Sequence, residues 1–528
     1  MQRVQGKRGH GWRSCRGGSP QESEDPAMRP PVRAWLYAGL FALLTWISRV
    51  PFLSRYLWHF DSGNMALGLY EFNLAKHQPH PPGYIIFMGV AKAFHFLLGD
   101  ANLALVSASV LFSGIAVGLI YLFGKKFFGE KVGLWAGVFL ALNPDFWLHG
   151  EVALVYSAGA FGGILVAFVS WFMVRYRASL RPMHAILVGL AIGLVGGLRQ
   201  SDLFLLAPLW GYAFWRAGRE NIAFLLWGAL GMAVGIFAWS VPLYLLSPEG
   251  SPAGQLIGSA RDTSLFFGAP LKNHLRMVIL LCLFTLLALG PAGAILLLIP
   301  WKFRPTRATL GKDDIILLML WVIPSVLFFA LIHFTNPGHM FLFLGAIVIA
   351  EALVAAAFRS PWLPASLAVV SCAVFLGFVY PRFILRPDSA RRSQIEMVSE
   401  HPEATLVIWS DNTVRKPAFR GEYHRFYSFY FPQRDFYLLA FRKDTRDIVR
   451  FRWTEKEYLA RGSEPAAVIP GKELLFLFHS AGPDALDSLR AWFPDGSVLE
   501  KRGAIGYLAP VGEPRQFNYL NMKLEVKP

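Results

Sequence analysis

The chain is a succession of apolar blocks, each about as long as a bilayer is thick. They fall at about 34–52, 102–123, 132–148, 157–174, 183–198, 203–215, 222–246, 276–300, 313–333, 339–357 and 363–381, about 11 in all. A helix rises about 1.5 Å per residue, so roughly 20 apolar residues cross a hydrocarbon core of about 30 Å. Composition agrees, with 54% hydrophobic and only 16% charged residues, where soluble chains carry about a quarter charged. The fold class is therefore a polytopic α-helical membrane protein. The net charge of +16 does not indicate nucleic acid. The excess sits in the N-terminal tail (Arg3, Lys7, Arg8, Arg13, Arg16, Arg29, Arg33) and in short loops between apolar blocks, the pattern of topology signals. Of the three cysteines, Cys282 and Cys372 lie in apolar blocks and Cys15 in the tail, with no disulfide or metal spacing. Residues 1–30 lack the apolar centre of a signal peptide, and Met28 opens a second start-like segment, "MRPPVRAWLYAGLF".

The basic loops set an orientation. Lys125, Lys126 and Lys131 follow the second block, Arg175, Arg177 and Arg181 the fourth, and Arg216 and Arg219 the sixth. Lys302, Arg304, Arg307 and Lys312 follow the eighth and Arg359 the tenth. All share one side with the tail, so that side is cytoplasmic. The loops 53–101 and 247–275 then face outside, as does everything after 382. Arg382, Arg386, Arg391 and Arg392 run against the rule, which long translocated domains escape. Three domains are expected: a basic cytoplasmic tail 1–33, a transmembrane domain 34–381 with its external loop 53–101, and an extracytoplasmic domain 382–528. In the last, "TLVIWSD", "FYLLAF" and "KELLFLFHS" have the pattern of buried strands. "DALDSLRAWF" has that of an amphipathic helix, and "GSVLEKRGAIGYLAPV" that of a hairpin. A small α/β domain follows.

Chemistry concentrates in His59–Tyr84, "HFDSGNMALGLYEFNLAKHQPHPPGY". Met65, Leu69 and Phe72 follow Asp61 at helical spacing, which predicts a short helix on the membrane surface. The prolines around His80 fix φ and remove donors, making a stiff extended element. A hydroxyl nucleophile needs a positioned proton acceptor, and Asp61 is a candidate. Departing phosphate needs fixed cationic donors.

An acid in the first external loop followed by "HPPGY" resembles the type C glycosyltransferases. The likeness is to the branch of protein O-mannosyltransferases and aminoarabinose transferases, and it covers about residues 34–380. "ALNPDFWLHGEVALVYSAGAF" (141–161) resembles that branch's second external loop, and "GGLRQSDLFLLAPLW" (196–210) a later paired-helix segment. "HFTNPGHMFLFLGAIVI" (333–349) resembles the region before a late span, with His339 in place of an arginine. The resemblance implies sugar transfer on the extracytoplasmic face, from a polyprenyl-phosphate-linked donor to a protein, lipid or glycan acceptor. Asp61 would accept or orient the acceptor proton, with inversion at the anomeric carbon, and basic side chains would hold the phosphate. Many relatives carry a second acid beside this aspartate. Here the neighbour is Ser62, which leaves a divalent metal open and makes Glu151 or Glu71 a candidate for the missing carboxylate.

Each residue has a plainer alternative. Asp61 serves equally as an interfacial carboxylate, and His80 as a turn residue. Arg199 and Asp202 form either a structural pair or a phosphate contact, since an unpaired intramembrane arginine costs about 2.5–3.5 kcal/mol on insertion scales. Glu151 and Tyr156 are further substrate-binding candidates. Lys76 and His77 suit a solvated interface, and His333, Asn336 and His339 a polar turn. A transporter or flippase for a lipid-linked solute is the competing function. No repeated halves are visible, whereas transporters of that kind often show them. Orientation is checked with reporter fusions at Lys126, Lys302 and Pro528: cytoplasmic signal is expected from the first two and extracytoplasmic signal from the third. A cytoplasmic signal at Pro528 would reverse the arrangement.

Overall fold

The structure is a computed structural model. It describes residues 32–219, 222–246, 271–298, 310–331, 337–411, 424–441, 446–452, 455–461, 467–480, 483–519 and 522–528. The tail to residue 31, most of the loop 247–275, Lys302, Arg304, Arg307, His333 and Asn336 lie outside the described residues.

Among the described residues, seven helices are long and apolar enough to cross a membrane, or eight with a pair bent by 97° (Val278–Leu289 and Pro291–Leu298). The chain is an integral membrane protein by this measure. The first elements are α1 (Val32–Arg49), α2 (Phe60–Tyr70), α3 (Ile85–Leu98), α4 (Ala101–Phe128), α5 (Glu130–Leu142) and α6 (Pro144–Gly150). They are followed by α7 (Tyr156–Arg175), α8 (Pro182–Leu198), α9 (Gln200–Leu205), α10 (Ala207–Gly218) and α11 (Ile222–Leu245). Helices Leu271–Leu289, Lys312–Leu331 and Phe341–Ala356 come next, and then a helical run of 39 residues, Trp362–Glu400.

Two of these expected spans are broken and a third is short. The block at 132–148 is broken between α5 and α6, where Asn143 caps α6 by accepting from the Asp145 and Phe146 amides and Pro144 takes the first helical position. A proline there loses no hydrogen bond. The block at 203–215 is split into α9 and α10, again with a proline just inside the second piece. The block at 183–198 is a 17-residue helix. The loop 53–101 is more ordered than expected: the surface helix is α2, and a second, apolar helix, α3, follows it. Residue 382 does not end the last span either. The helix runs on to Glu400 through π-turns at Phe375–Val379 and Pro381–Leu385, the irregularity that lets a helix absorb a proline.

Helices α8 and α11 cross closely because both present glycine. A Cβ on Gly189 would strike the Gly228 carbonyl, and one on Gly231 the Ile186 carbonyl. Small residues at such crossings let backbones approach in lipid, where no hydrophobic drive brings helices together.

The strands form two sheets. One has seven strands in the order β4-β3-β2-β1-β6-β8-β7 and the other three in the order β5-β10-β9. Here β1 is Thr405–Asp411, β2 Asp435–Phe441, β3 Arg446–Arg452, β4 Glu455–Arg461 and β5 Ala467–Pro470. Further on, β6 is Glu473–Ser480, β7 Ser497–Lys501, β8 Ala504–Pro510, β9 Arg515–Tyr519 and β10 Met522–Lys527. Central β1 pairs in parallel with β2 and β6, and the outer pairings are antiparallel. A central parallel strand is buried on both faces and so has a near-continuous apolar sequence. Val407 and Trp409 face helix Pro483–Trp492 in one core, while Leu406 and Ile408 join a second core with Met65, Ala66 and Leu69 of α2. The sheet is thereby fused to the first loop of the bundle.

Gly189→Val should abolish the α8–α11 fit. Overpacking typically costs about 1–3 kcal/mol, and backbone on the far side leaves no room to relax, so a loss at or above that range is expected in thermal unfolding of the purified protein. Gly211→Val is the control, because a Cβ there meets nothing within 4 Å.

Candidate active site

Asp61 is the second residue of α2. His59 caps the helix: its Nδ1 lies 3.3 Å from the Asp61 amide and 3.2 Å from Asp61 Oδ2. A proton on that nitrogen serves the carboxylate, and a bare nitrogen serves the cap. Ser62 completes the cap. Its Oγ accepts from the His59 amide at 3.2 Å and donates to the Ala153 carbonyl at 2.8 Å. The position beside Asp61 is therefore occupied by a fully buried hydroxyl that ties α2 to the segment after α6.

The proline strap lies flat on α2. Asn73 and Gln78 pair across its base, and Gly68 leaves the space that Pro79 fills. His80 comes to rest with Nδ1 3.5 Å from Asp61 Oδ1 and Nε2 2.8 Å from the Tyr84 hydroxyl. Burial pushes the Tyr84 phenol up, with Arg199 acting against it. The phenol therefore keeps its proton, and its hydroxyl and His80 Nε2 share one hydrogen bond. Tyr84 itself caps α3 in the left-handed region, φ 46°. Gln200 donates from Nε2 to the Pro82 carbonyl at 2.9 Å, joining the strap to the break between α8 and α9.

Arg199 occupies that break. Its Nε is 3.9 Å from Asp202 Oδ1, and its charge also acts on Asp61, Tyr84 and Tyr156. Tyr156, the first residue of α7, packs its ring against Gly338, where a Cβ would collide with it. The same ring meets His339 and His149 edge-on at 5.7 Å and 5.3 Å. His149 Nδ1 lies 3.2 Å from Asp145 Oδ1 and 2.9 Å from the Asp145 carbonyl, and both residues are buried.

Asp61, His80, Arg199, Asp202 and Tyr156 thus gather around one centre. Glu151 does not join them. It is fully buried, its Oε1 accepts from the Trp147 indole, and Arg49 stacks on the same indole at 4.2 Å. Burial pushes the Glu151 carboxyl up, and Arg49 holds it back. Glu71 pairs with Lys76 at 2.8 Å, both partly exposed. Sequence reasoning missed His59, Tyr84, Asp145 and His149 as site residues. The Asp145–His149 spacing of four on a helix is a detectable pairing signal, whereas the role of His59 depends on where α2 begins.

Asp61 is only 16% exposed at its side chain. Burial alone would raise its pKa, but His80, His59 and Arg199 outweigh it and hold the carboxyl at about 2, below the ordinary 3.8. The centre is an ionised carboxylate ringed by cationic and protonatable groups. Among the described residues no group of three or more His, Cys, Asp or Glu is arranged to hold a metal ion.

The architecture, a helical bundle with a first-loop aspartate and an appended strand-containing domain, is shared with a solved structure. The crystal structure of ArnT from Cupriavidus metallidurans bound to undecaprenyl phosphate superimposes with a TM-score of 0.57 at 12% identity, covering 90% of this chain and 98% of that one. The apo structure of the same protein gives 0.50 at 13% identity, with coverage of 90% and 98%. Residues 61–222 match the family model for the N-terminal domain of the protein O-mannosyl-transferase TMEM260, a stretch that opens on Asp61 and includes His80, Glu151, Tyr156, Arg199 and Asp202. No curated protein matches the chain by sequence.

The low pKa of Asp61 has a stability consequence. A carboxyl depressed from 3.8 to about 2 contributes stability that is complete above the unfolded value and is lost as pH falls through the folded one. The difference in thermal stability between wild type and Asp61→Asn should therefore shrink as pH falls from about 4 toward 2. A difference that stays the same across that interval would mean that ionised Asp61 contributes no stability.

Proposed function

We propose that this protein is an integral-membrane glycosyltransferase. It moves a sugar from a polyprenyl-phosphate-linked donor to a protein, lipid or glycan acceptor of the cell envelope, on the extracytoplasmic face. The observation that carries the reading is the buried Asp61 carboxylate with His59, His80 and Arg199 around it, on an ArnT-like fold. The undecaprenyl phosphate in the ArnT crystal structure supports a polyprenyl-phosphate donor, and the TMEM260 family match supports transfer to a hydroxyl.

The acceptor hydroxyl attacks the anomeric carbon from the face opposite the phosphate. The bond from that carbon to the phosphate oxygen breaks, its electron pair leaves with the phosphate, and the acceptor proton passes to Asp61. A single displacement inverts the anomeric configuration. A base with a pKa of about 2 is weak at rest, and the donor corrects this. The groups that depress Asp61 are those that would hold the phosphate. Once Arg199 faces a phosphate, its positive charge is offset and the Asp61 pKa rises toward a value fit to accept a proton. Asp202 keeps Arg199 in place, and Tyr84 keeps His80 in one orientation.

Mass spectrometry of envelope glycans and glycolipids from a deletion strain identifies the product as the species lost and restored by wild type. With that donor, Asp61→Asn should insert and bind donor normally but lose about 10²–10⁴-fold in transfer. Wild-type turnover by this variant would remove Asp61 from the mechanism. Arg199→Lys should retain part of the activity, because a point charge still attracts phosphate without the guanidinium fork. Arg199→Ala should lose most of it, and full turnover by a folded Arg199→Ala protein would leave Arg199 as Asp202's structural partner.

A further inference from the structure

A second polar site lies at the other end of the bundle. Helix α7 starts at Tyr156 in the candidate active site and ends at Arg175, 20 residues later, about 30 Å away at 1.5 Å per residue. That distance is the thickness of the hydrocarbon core. At this far end the terminus of α4, the terminus of α7 and the turn Arg177–Ser179 enclose a cavity of about 510 Å³. Lys126, Arg175 and Arg177 line it together with Tyr176 and Ser179, and its lining contains no carboxylate.

The cations are held in place. Lys126 lies over the rings of Tyr176 at 4.7 Å and Phe172 at 5.9 Å. Arg175 is aimed by Asp314, with contacts of 3.1 and 3.3 Å from Nη2. Asp314 is itself fixed by the Trp171 indole at 3.0 Å and the Gly311 amide at 2.9 Å. Arg177 donates to the Val174 carbonyl at 3.3 Å and stands 3.9 Å from Asp313. Asp313 is already engaged by Arg216 at 2.9 Å and Tyr212 at 2.6 Å. Asp314 and Asp313 are thus partners of the two arginines and are not among the residues that line the cavity. Arg175 and Arg177 keep 47% and 42% of their side chains exposed.

We propose that this cavity binds the phosphate headgroup of an anionic membrane lipid in the leaflet opposite the candidate active site. Fixed guanidinium forks and an ammonium match a phosphate's oxygens. The aromatic side chains beside Lys126 are of the kind that settles at headgroup level. Anionic lipid at a membrane surface is drawn to such clusters of cations. The site is distinct from the transfer chemistry and does not require it.

The test is native mass spectrometry of the purified full-length protein in detergent with added phosphatidylglycerol, with diacylglycerol of the same chains as the phosphate-free arm and inorganic phosphate as competitor. A retained phosphatidylglycerol adduct is expected, with none for diacylglycerol and no displacement by millimolar inorganic phosphate. Lys126→Ala with Arg177→Ala should reduce the adduct about 10-fold, and Lys126→Arg with Arg177→Lys should restore it. Arg199→Ala should leave it unchanged. Equal adducts on wild type and the double alanine variant overturn the proposal. So does loss in Arg199→Ala, which would move the lipid to the other site, or displacement by inorganic phosphate, which would make this a free-anion site. If the double variant does not assemble, Arg177→Ala alone carries the comparison, judged by the same criterion.

Discussion

A carboxylate taken out of water must be compensated or it protonates. Asp61 is such a carboxylate, and much of the surrounding structure follows from keeping it charged. It sits at the start of α2, where backbone amides favour negative charge. His59 comes from the residue that caps the same helix, His80 from a strap stiffened by prolines, and Arg199 from a break between two helices more than a hundred residues away. The strap is anchored to the helix break through Gln200 and Pro82, and α2 is anchored to the segment after α6 through Ser62 and Ala153. The groups that hold the charge are thus held by one another.

The strand-containing domain extends this scaffold. The Asp388 carboxylate accepts from the Ser54 hydroxyl at 2.8 Å and the Arg55 amide at 2.7 Å, and the Tyr430 hydroxyl accepts from the Leu57 amide at 3.0 Å. Arg425 packs its Cβ against Gly63 of α2, and its guanidinium donates to the Lys76 carbonyl at the base of the strap. Beneath these polar ties, Leu406, Ile408 and Phe426 share one apolar core with Met65 and Leu69. A helix of 11 residues is marginal alone in water. Clamped between bundle and sheet, α2 is fixed, and with it the direction of the Asp61 side chain.

The sequence carried the coarse fold plainly, because its signals are local. Apolar length located the long helices, and β1, β2, β6, the helix Pro483–Trp492 and the β7–β8 hairpin fall where their periodicity put them. Asp61, His80, Arg199, Asp202 and Tyr156 were all legible as candidates, since reactive groups stand out in an apolar chain. Their convergence was not legible, because it depends on contacts between residues 61 and 199 that no periodicity encodes. Glu151 shows the reverse error. As a charge in an apolar loop it resembles a site residue, yet its partners are Arg49 and Trp147, and only packing reveals that. Helix α3 was hidden in a loop because its 14 residues fall short of a span.

The interrupted spans follow from the same constraint as the site. Backbone that leaves helical geometry inside a bilayer is tolerated only where protein or a water-filled cavity surrounds it. The break at Asn143 is closed by its own side chain, which accepts from two amides and donates to the Ala288 carbonyl at 2.5 Å. The bend at Gly290 packs directly on Pro144, so two breaks seal each other. The break at Arg199 is different: its side chain turns to Asp202 and the Asp61 centre. Asn143 leads into α6 and the buried Asp145–His149 pair, and Arg199 faces Asp61, so both breaks lie at the end of the bundle where α7 begins with Tyr156. A continuous helix at either place would carry its polar residue around the cylinder and away from that centre. The loss of span length is therefore what lets distant segments deliver Arg199, Asp202 and His149 to one place beside a short surface helix.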